Sequence, residues 1–298
     1  MTEDSLLQSI RQRLSPAARS LVLGPGDDAA IYRPRRNQDL VFTTDMMHED
    51  RHFLRSYDPY SVGWKALARG LSDIAAMGAK PEFALLSLAL GEWMDESWVQ
   101  GFYDGFLHLA EVHQLPLAGG DLARAKQGSM DVVVCGSVPR GKALRRGTAR
   151  PGDSIYISGA LGGGIVGLRN PENQEARAKH LRPEPRVSLG LALRKRGIPS
   201  AMMDLSDGLS TDLRRMLLES GVSATLDGAL PLFAGATEAD ALHGGDDYEL
   251  LFTSCARVPR TLAGNPLHLV GRVTEGEPGT ILRAGTPIDP LGWDHFRG

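Results

Sequence analysis

Aspartate supplies most of the chemistry open to this chain. The stretch Gly24-Pro25-Gly26-Asp27-Asp28-Ala29-Ala30 reads as a tight turn carrying two adjacent carboxylates into the short apolar run Ile31-Tyr32. Glycine takes backbone angles that other residues resist, and Asp accepts hydrogen bonds from turn amides. A solvated turn would explain that stretch alone. Carboxylates recur, however, at the ends of apolar segments: Asp45 after residues 40–44, Asp121 after 115–120, Asp204 and Asp207 after 201–203, and Asp246-Asp247 after Gly244-Gly245. Strand ends bearing glycine and Asp are where ligand sites are assembled in mixed α/β proteins.

Two carboxylates held ~4 Å apart repel by about 1 kcal/mol in water and ~4 kcal/mol near a protein surface, so several in one cleft call for cations. Their companions are the hydroxyls Thr43, Thr44 and Ser206, not Cys or His at zinc spacing. Hard oxygen donors of this kind suit Mg²⁺ or Mn²⁺, with phosphates completing the shell. If the carboxylates converge, an acidic, metal-dependent nucleotide site follows.

The elements that must position these groups come from periodicity. Leu6, Leu7, Ile10 and Leu14 suggest a short N-terminal helix, and 39–44 a strand that delivers Asp45. Residues 59–77 form a helix with Leu67, Leu71 and Ile74 on one face, stopped by Gly78 with Pro81 beyond. Asp73 lies on another face of that helix, one turn from Gly70 and two from Ala66, small neighbours that leave room for a bulky group. A strand over 83–90, a helix marked by Trp98, Phe102, Phe106 and Leu109, and strands over 115–118 and 130–138 complete the first half. A turn-rich stretch over 147–152 then marks a boundary, giving domains 1–148 and 149–298. The second half reads as a strand over 154–158, a glycine loop with a helix, helices over 174–180 and 187–196, a strand delivering Asp204, a helix ending near Glu219, and strands over 223–226, 248–253 and 267–273. Without strict βαβ alternation, the fold class is α+β (mixed α/β) in two domains.

Composition excludes several classes. A formal charge of −3 argues against a general nucleic-acid binder, and 42% hydrophobic with 23% charged residues is ordinary for a globular protein. Two cysteines, Cys135 and Cys255, make no disulfide framework. The start, Met1-Thr2-Glu3-Asp4, is acidic rather than signal-like, and the apolar run at 83–90 is far below the ~20 residues of a membrane span. A cytoplasmic protein with no membrane partner is expected. Gly162, Gly164 and Gly167 match G-x-G-x-x-G after a strand. A dinucleotide site needs an acidic residue ending a second strand ~20 residues on. Glu184, between Pro183 and Pro185, has no strand before it. A tight strand-to-helix turn is the better explanation, and no G-x-x-x-x-G-K-[ST] is present.

Taken in order, seven stretches resemble the thiamine-monophosphate kinase family, in the superfamily that also contains aminoimidazole ribonucleotide synthetase. They are residues 24–30, Thr43-Thr44-Asp45, residues 65–81 with Leu71-Ser72-Asp73-Ile74-Ala75-Ala76-Met77-Gly78-Ala79, Gly119-Gly120-Asp121, Pro151-Gly152-Asp153, Asp204-Leu205-Ser206-Asp207-Gly208-Leu209 and residues 244–251. The resemblance implies an aminoimidazole ribonucleotide synthetase-like architecture, with an N-terminal ATP/Mg²⁺-binding domain that forms a homodimer interface and a C-terminal domain completing the acceptor site. It implies Asp28, Thr43, Thr44, Asp45, Asp73, Asp121 and Asp204 as metal ligands, with Asp207 holding a further ion. ATP would be held by Gly120, Asp121, Arg146, Ser206 and Tyr103; His52, Asp246 and Trp293 would contact thiamine monophosphate.

The implied activity is direct in-line transfer of the γ-phosphate of ATP to thiamine monophosphate. The alternatives are another ATP-dependent enzyme of the superfamily with a different acceptor, and a non-catalytic metal- or nucleotide-binding protein. Three departures stand out: Asp246 where the family more often has Glu, Glu49-Asp50-Arg51 before His52 where a glycine is usual, and Leu122-Ala123 where relatives often have threonines.

Overall fold

The computed structural model describes residues 3–14, 20–25, 29–294 and 296; Asp27 and Asp28 of the opening turn lie outside the described residues. The chain forms two compact units, one of Met1–Ile74 with Lys80–Gly141 and one of Ala75–Ala79 with Lys142–Gly298.

In the first unit α1 (Glu3–Arg13) is followed by the short antiparallel pair β1 (Leu21–Leu23) and β2 (Ile31–Tyr32). Then come β3 (Gln38–His48), α2 (Pro59–Ala76), β4 (Lys80–Gly91), α3 (Glu96–Val112), β5 (Leu117–Ala125) and β6 (Ser129–Pro139). The four long strands make one sheet in the order β3-β6-β4-β5, antiparallel except for the β4–β5 pair that α3 connects. Strand side chains alternate between faces, so Thr43, Asp45 and Met47 share one face and Phe42, Thr44 and Met46 the other. Helix α2 lies on the first face. A Cβ at Gly70 would sit 2.7 Å from Val134 and 3.7 Å from Thr43, so the sheet fills the space that the small residues on α2 leave. The expectation that Gly70 leaves room for a ligand beside Asp73 is thereby corrected.

The opposite face is covered at one end, where Leu21 and Tyr32 pack with Phe83, Ala118 and Cys135, and the Tyr32 ring lies tilted against Phe83 with centroids 4.9 Å apart. Further along, Phe42 and Met46 remain 59% and 52% exposed. The apolar character of the strands at 83–90 and 130–138 is accounted for largely within this unit, since Ala84, Leu86, Leu88, Val132, Val134 and Val138 are all buried.

The second unit contains β7 (Ser154–Ser158), α4 (Gly163–Arg169), α5 (Gln174–Leu181), α6 (Val187–Arg196), β8 (Ala201–Leu205), α7 (Leu209–Ser220), β9 (Ser223–Leu226), α8 (Glu238–His243), β10 (Glu249–Ser254), β11 (Thr261–Leu262), β12 (Asn265–Thr274), β13 (Ile281–Arg283) and β14 (Thr286–Pro287). Its main sheet runs β14-β13-β9-β12-β7-β10-β8, with β11 on β12, and is antiparallel except for β13 beside β9. Leu209, Leu213, Met216 and Leu217 of α7 recur at helical spacing and bury into a core with Ile155, Ile157, Leu205, Val270 and Val273. Both units mix helices with largely antiparallel sheets, the α+β arrangement expected from the order of elements.

Candidate functional site

The first unit gathers Thr43, Asp45 and Asp73. Thr43 Oγ1 donates a hydrogen bond to Asp73 Oδ2, joining β3 to α2. One turn earlier on α2, Arg69 reaches Asp45 Oδ1 at 3.3 Å and the Met46 carbonyl at 3.2 Å. Burial pushes the Asp45 carboxyl up to about 6; Arg69 opposes this, while the charges of Asp73 and Asp131 add to it. Burial is the larger effect, and Arg69 offsets it only in part.

Asp45 and Asp121 were expected at strand ends, and both lie within strands. β3 continues to His48 because β6 offers it an unbroken antiparallel partner over all eleven residues. β5 likewise runs through Gly119, Gly120 and Asp121 beside β4. Register then separates the expected ligands by face. Asp121 pairs with Ser87, Ser87 with Asp131 and Asp131 with Met46, on the face opposite Asp45. Thr44 shares that second face and donates to Asp131 Oδ1 at 2.6 Å. Asp131 escaped the sequence reading because it opens an apolar strand with no glycine beside it.

The remaining first-unit residues are placed differently. His52 sits in the loop after β3, its Nδ1 accepting from the His48 amide at 3.0 Å. Asp50 there has φ 64, the left-handed conformation a glycine would take at little cost, so the loop keeps a glycine-like turn without the glycine. Glu49 fastens it, accepting from the Gly128 amide at 2.7 Å and the Trp93 indole at 2.9 Å, with Arg55 alongside. Tyr103 is only 3% exposed and packs edge-on against Phe102 at 5.7 Å; its ring serves the core of this unit, and burial drives its hydroxyl pKa up.

In the second unit, the turn at 206–208 is a hub. Buried Asp204 lies on β8 opposite Leu250 of β10. The Ser206 carbonyl accepts from the Asp246 amide, and the Asp207 carbonyl from the Trp293 amide, both at 2.9 Å. Ser206, Asp207, Asp246 and Trp293 are therefore brought together. Asp212, fully buried in the first turn of α7, holds the hub by accepting from the Ser206 amide at 3.0 Å and the Asp207 amide at 2.9 Å. Burial pushes its carboxyl up to about 7, aided by the charge of Asp207 and opposed by those two amides and Arg215. The exposed Arg146 is anchored away from this hub, its carbonyl accepting from Ser220 at the far end of α7 at 3.1 Å.

Asp246 has φ 65 and Tyr248 φ 50, conformations that cost non-glycine residues about 1–3 kcal/mol each and persist only where the surroundings enforce them. The Tyr248 hydroxyl donates to Asp246 Oδ1 at 2.9 Å, and His180 Nδ1 lies 3.4 Å from Oδ2. Next to them, buried Glu249 is gripped by Arg186 at 2.5 and 2.8 Å and by Ser158 at 2.6 Å. The G-x-G-x-x-G turn is also explained: the Gly162 and Gly164 amides point at the carboxylate of Asp247, which stands where a phosphate would bind.

Among the described residues no three His, Cys, Asp or Glu side chains are grouped to hold a metal. The donors present are carboxylate and hydroxyl oxygens, Asp45, Asp73 and Thr43 among them. That set fits Mg²⁺, which takes one or two carboxylates and draws its other ligands from water and substrate phosphates rather than from a closed protein cage. No helix among the described residues is long and apolar enough to cross a membrane.

Residues 26–138 match the AIR synthase related protein, N-terminal domain, and residues 150–282 the corresponding C-terminal domain. The thiamine-monophosphate kinase of Escherichia coli (strain K12) is 37% identical, over 99% of this chain and 98% of that protein. The crystal structure of thiamine-monophosphate kinase from Stenotrophomonas maltophilia K279a superposes with a TM-score of 0.82 at 36% identity, covering 95% of this chain and 96% of that one. AaThiL complexed with AMPPCP and TMP superposes at 0.79 with 32% identity, covering 98% and 95%.

Proposed function

Because this chain belongs to the thiamine-monophosphate kinase family, we propose that it transfers the γ-phosphate of ATP to thiamine monophosphate, yielding thiamine diphosphate. The observation that carries the acceptor choice is the hub at 206–208, whose carbonyls fix the carboxylate-bearing Asp246 and the indole-bearing Trp293. Thiamine has a permanently cationic ring, and a carboxylate together with an aromatic face is the chemistry that recognises such a cation.

The nucleophile is a phosphate oxygen of thiamine monophosphate. With a second pKa near ~6, that phosphate is already largely dianionic at pH 7, so the protein has no proton to remove. Its task is to bring two polyanions together in line. Asp45, Asp73 and Thr43 would hold Mg²⁺ on the helix-covered face of the first sheet, with Asp121 and Thr44 on its other face, Asp204 and Asp207 in the second unit, and Asp28 as the remaining ligands. Bound there, Mg²⁺ would neutralise phosphate charge and stabilise the loose transition state. By the family resemblance, Gly120, Asp121, Arg146, Ser206 and Tyr103 are the proposed ATP contacts, and His52, Asp246 and Trp293 the proposed acceptor contacts. Residues 1–148 carry most of the proposed Mg²⁺ ligands, and residues 149–298, which supply Asp246 and Trp293, complete the acceptor site.

We further propose that the protein works in the cytoplasm as a homodimer, a reading that the exposed Phe42 and Met46 on one face of the first sheet support as its self-association surface. Incubation with ATP, Mg²⁺ and thiamine monophosphate should yield thiamine diphosphate and ADP in equal amounts. Turnover of a superfamily acceptor such as a ribonucleotide, or binding of ATP without product, would refute the assignment.

A further inference from the structure

Asp247 follows the acceptor-side Asp246, yet its carboxylate turns onto the glycine-rich turn before α4. It accepts from the Gly162 amide at 2.8 and 3.0 Å and from the Gly164 amide at 3.3 Å. We propose that Asp247 is a positioning residue for the phosphoryl acceptor, clamping the strained 246–248 segment in the shape that presents Asp246 to thiamine monophosphate. The inference rests on the functional reading above and adds to it the residue that shapes the acceptor side.

The segment between α8 and β10 has neither helix nor strand to define it. Two of its residues nevertheless hold left-handed conformations, at φ 65 and φ 50. On one side it is tied to the β8 end, by Asp246 N–H to the Ser206 carbonyl at 2.9 Å and Tyr248 N–H to the Leu205 carbonyl at 2.8 Å. Asp247 supplies the tie on the other side. The seating is close: a Cβ at Gly164 would stand 2.6 Å from the Gly245 carbonyl oxygen and 2.7 Å from that of Asp246. Glycine at 164 thus lets the segment lie directly on the turn, and the Asp247 carboxylate holds it there.

The charges around Asp247 fit an internal clamp. Arg186 is committed to Glu249 and Glu184, and the charge of Asp247 is met by backbone amides. Burial raises its carboxyl pKa to about 7, with the two amides pulling the other way and Glu249 and Asp246 adding to the rise. A group so placed is sensitive to loss of either acceptor oxygen, because a single oxygen must then serve both amides.

The test is steady-state kinetics on the full-length protein bearing Asp247→Asn, Gly164→Ala or, as a control, Leu213→Ala in the core under α7. Asn keeps the shape of Asp but turns one acceptor into a donor facing an N–H; Ala at 164 pushes the segment off its seat. If the released segment holds the competent shape about one tenth of the time, the KM for thiamine monophosphate rises about tenfold. The KM for ATP should stay within about twofold and kcat within about threefold, since neither substitution replaces a proposed metal or nucleotide ligand. Leu213→Ala should lower the melting temperature without moving either KM. Unchanged KM in a folded Asp247→Asn or Gly164→Ala protein would overturn the inference, as would losses in kcat and both KM values that track melting temperature as in the control. Should Asp247→Asn fail to fold, the Gly164→Ala result decides alone. An active wild type with unaffected variants refutes this inference only, whereas a wild type that makes no thiamine diphosphate refutes the functional reading and this inference with it.

Discussion

Replacing Asp45 by Asn should stabilise the metal-free protein while destroying its activity. The carboxyl is buried beside Asp73 and Asp131, with one 3.3 Å bond to Arg69, and its pKa moves from 3.8 to about 6. A folded pKa above the unfolded value means that the ionised group burdens the fold. The burden is absent below about pH 4, where both states carry the proton, and complete above about pH 6. A shift of about two units corresponds to ~3 kcal/mol at most, at 1.36 kcal/mol per unit. The side chain is 20% exposed, and Asn also weakens the Arg69 bond, so ~1–2 kcal/mol is the realistic gain. At roughly 2–4 °C per kcal/mol, the melting temperature in chelator at pH 7.5 should rise by about 2–8 °C. The gain should vanish near pH 4. With ATP and Mg²⁺ present, kcat/KM should fall at least about a hundredfold, the scale seen when a charge-stabilising group is removed. Thermal scans in chelator and product assays on the same preparation decide the matter. A variant that melts lower than wild type in chelator, or one that keeps normal turnover at ordinary Mg²⁺, would refute the reasoning.

Three further outcomes are expected. Trp293→Ala should raise the KM for thiamine monophosphate about threefold to thirtyfold, the range of a cation–π contact worth roughly 0.5–2 kcal/mol, and leave that for ATP unchanged; an equal rise for ATP would make Trp293 a packing residue. Glu249→Gln leaves the buried Arg186 with only the exposed Glu184 as a charged partner and should cost about 3–5 kcal/mol in urea unfolding, a loss that a value under ~1 kcal/mol would contradict. The two Arg169 bonds hold the Asp240 carboxyl at about 2, below its unfolded value, so their contribution is present above about pH 4 and lost as pH falls toward 2; Asp240→Asn should flatten the acid limb of the stability profile.

The elements that bury one face were legible in the sequence, because a helix with Leu67, Leu71 and Ile74 at helical spacing can bury that stripe in few ways. What escaped was set by pairing partners. Asp45 looked like the end of a strand because two threonines and a charge interrupt the apolar run, whereas β6 carries β3 on to His48. Asp121 was misread for the same reason, since β4 carries β5 past it. The short β13 and β14 and the helix α8 were missed, being too brief to show a period. Register also splits the aspartates between two faces of one sheet, which no single-strand pattern can reveal. The glycine motif was rightly read as a strand-to-helix turn, but its anion was invisible, because Asp247 lies some eighty residues away in the chain. The loop before His52 keeps its turn through Asp50, a residue that tolerates the left-handed region better than most.

The central claim is direct transfer of the γ-phosphate of ATP to the phosphate of thiamine monophosphate, without a protein base or a covalent intermediate. A single-turnover experiment with γ-labelled ATP, Mg²⁺ and excess enzyme, quenched over time, tests it most directly. The account predicts that the label passes from ATP to the terminal phosphate of thiamine diphosphate in one phase, with none on the protein at any time. Label trapped on the protein, or released as inorganic phosphate while thiamine monophosphate stays unchanged, would contradict it.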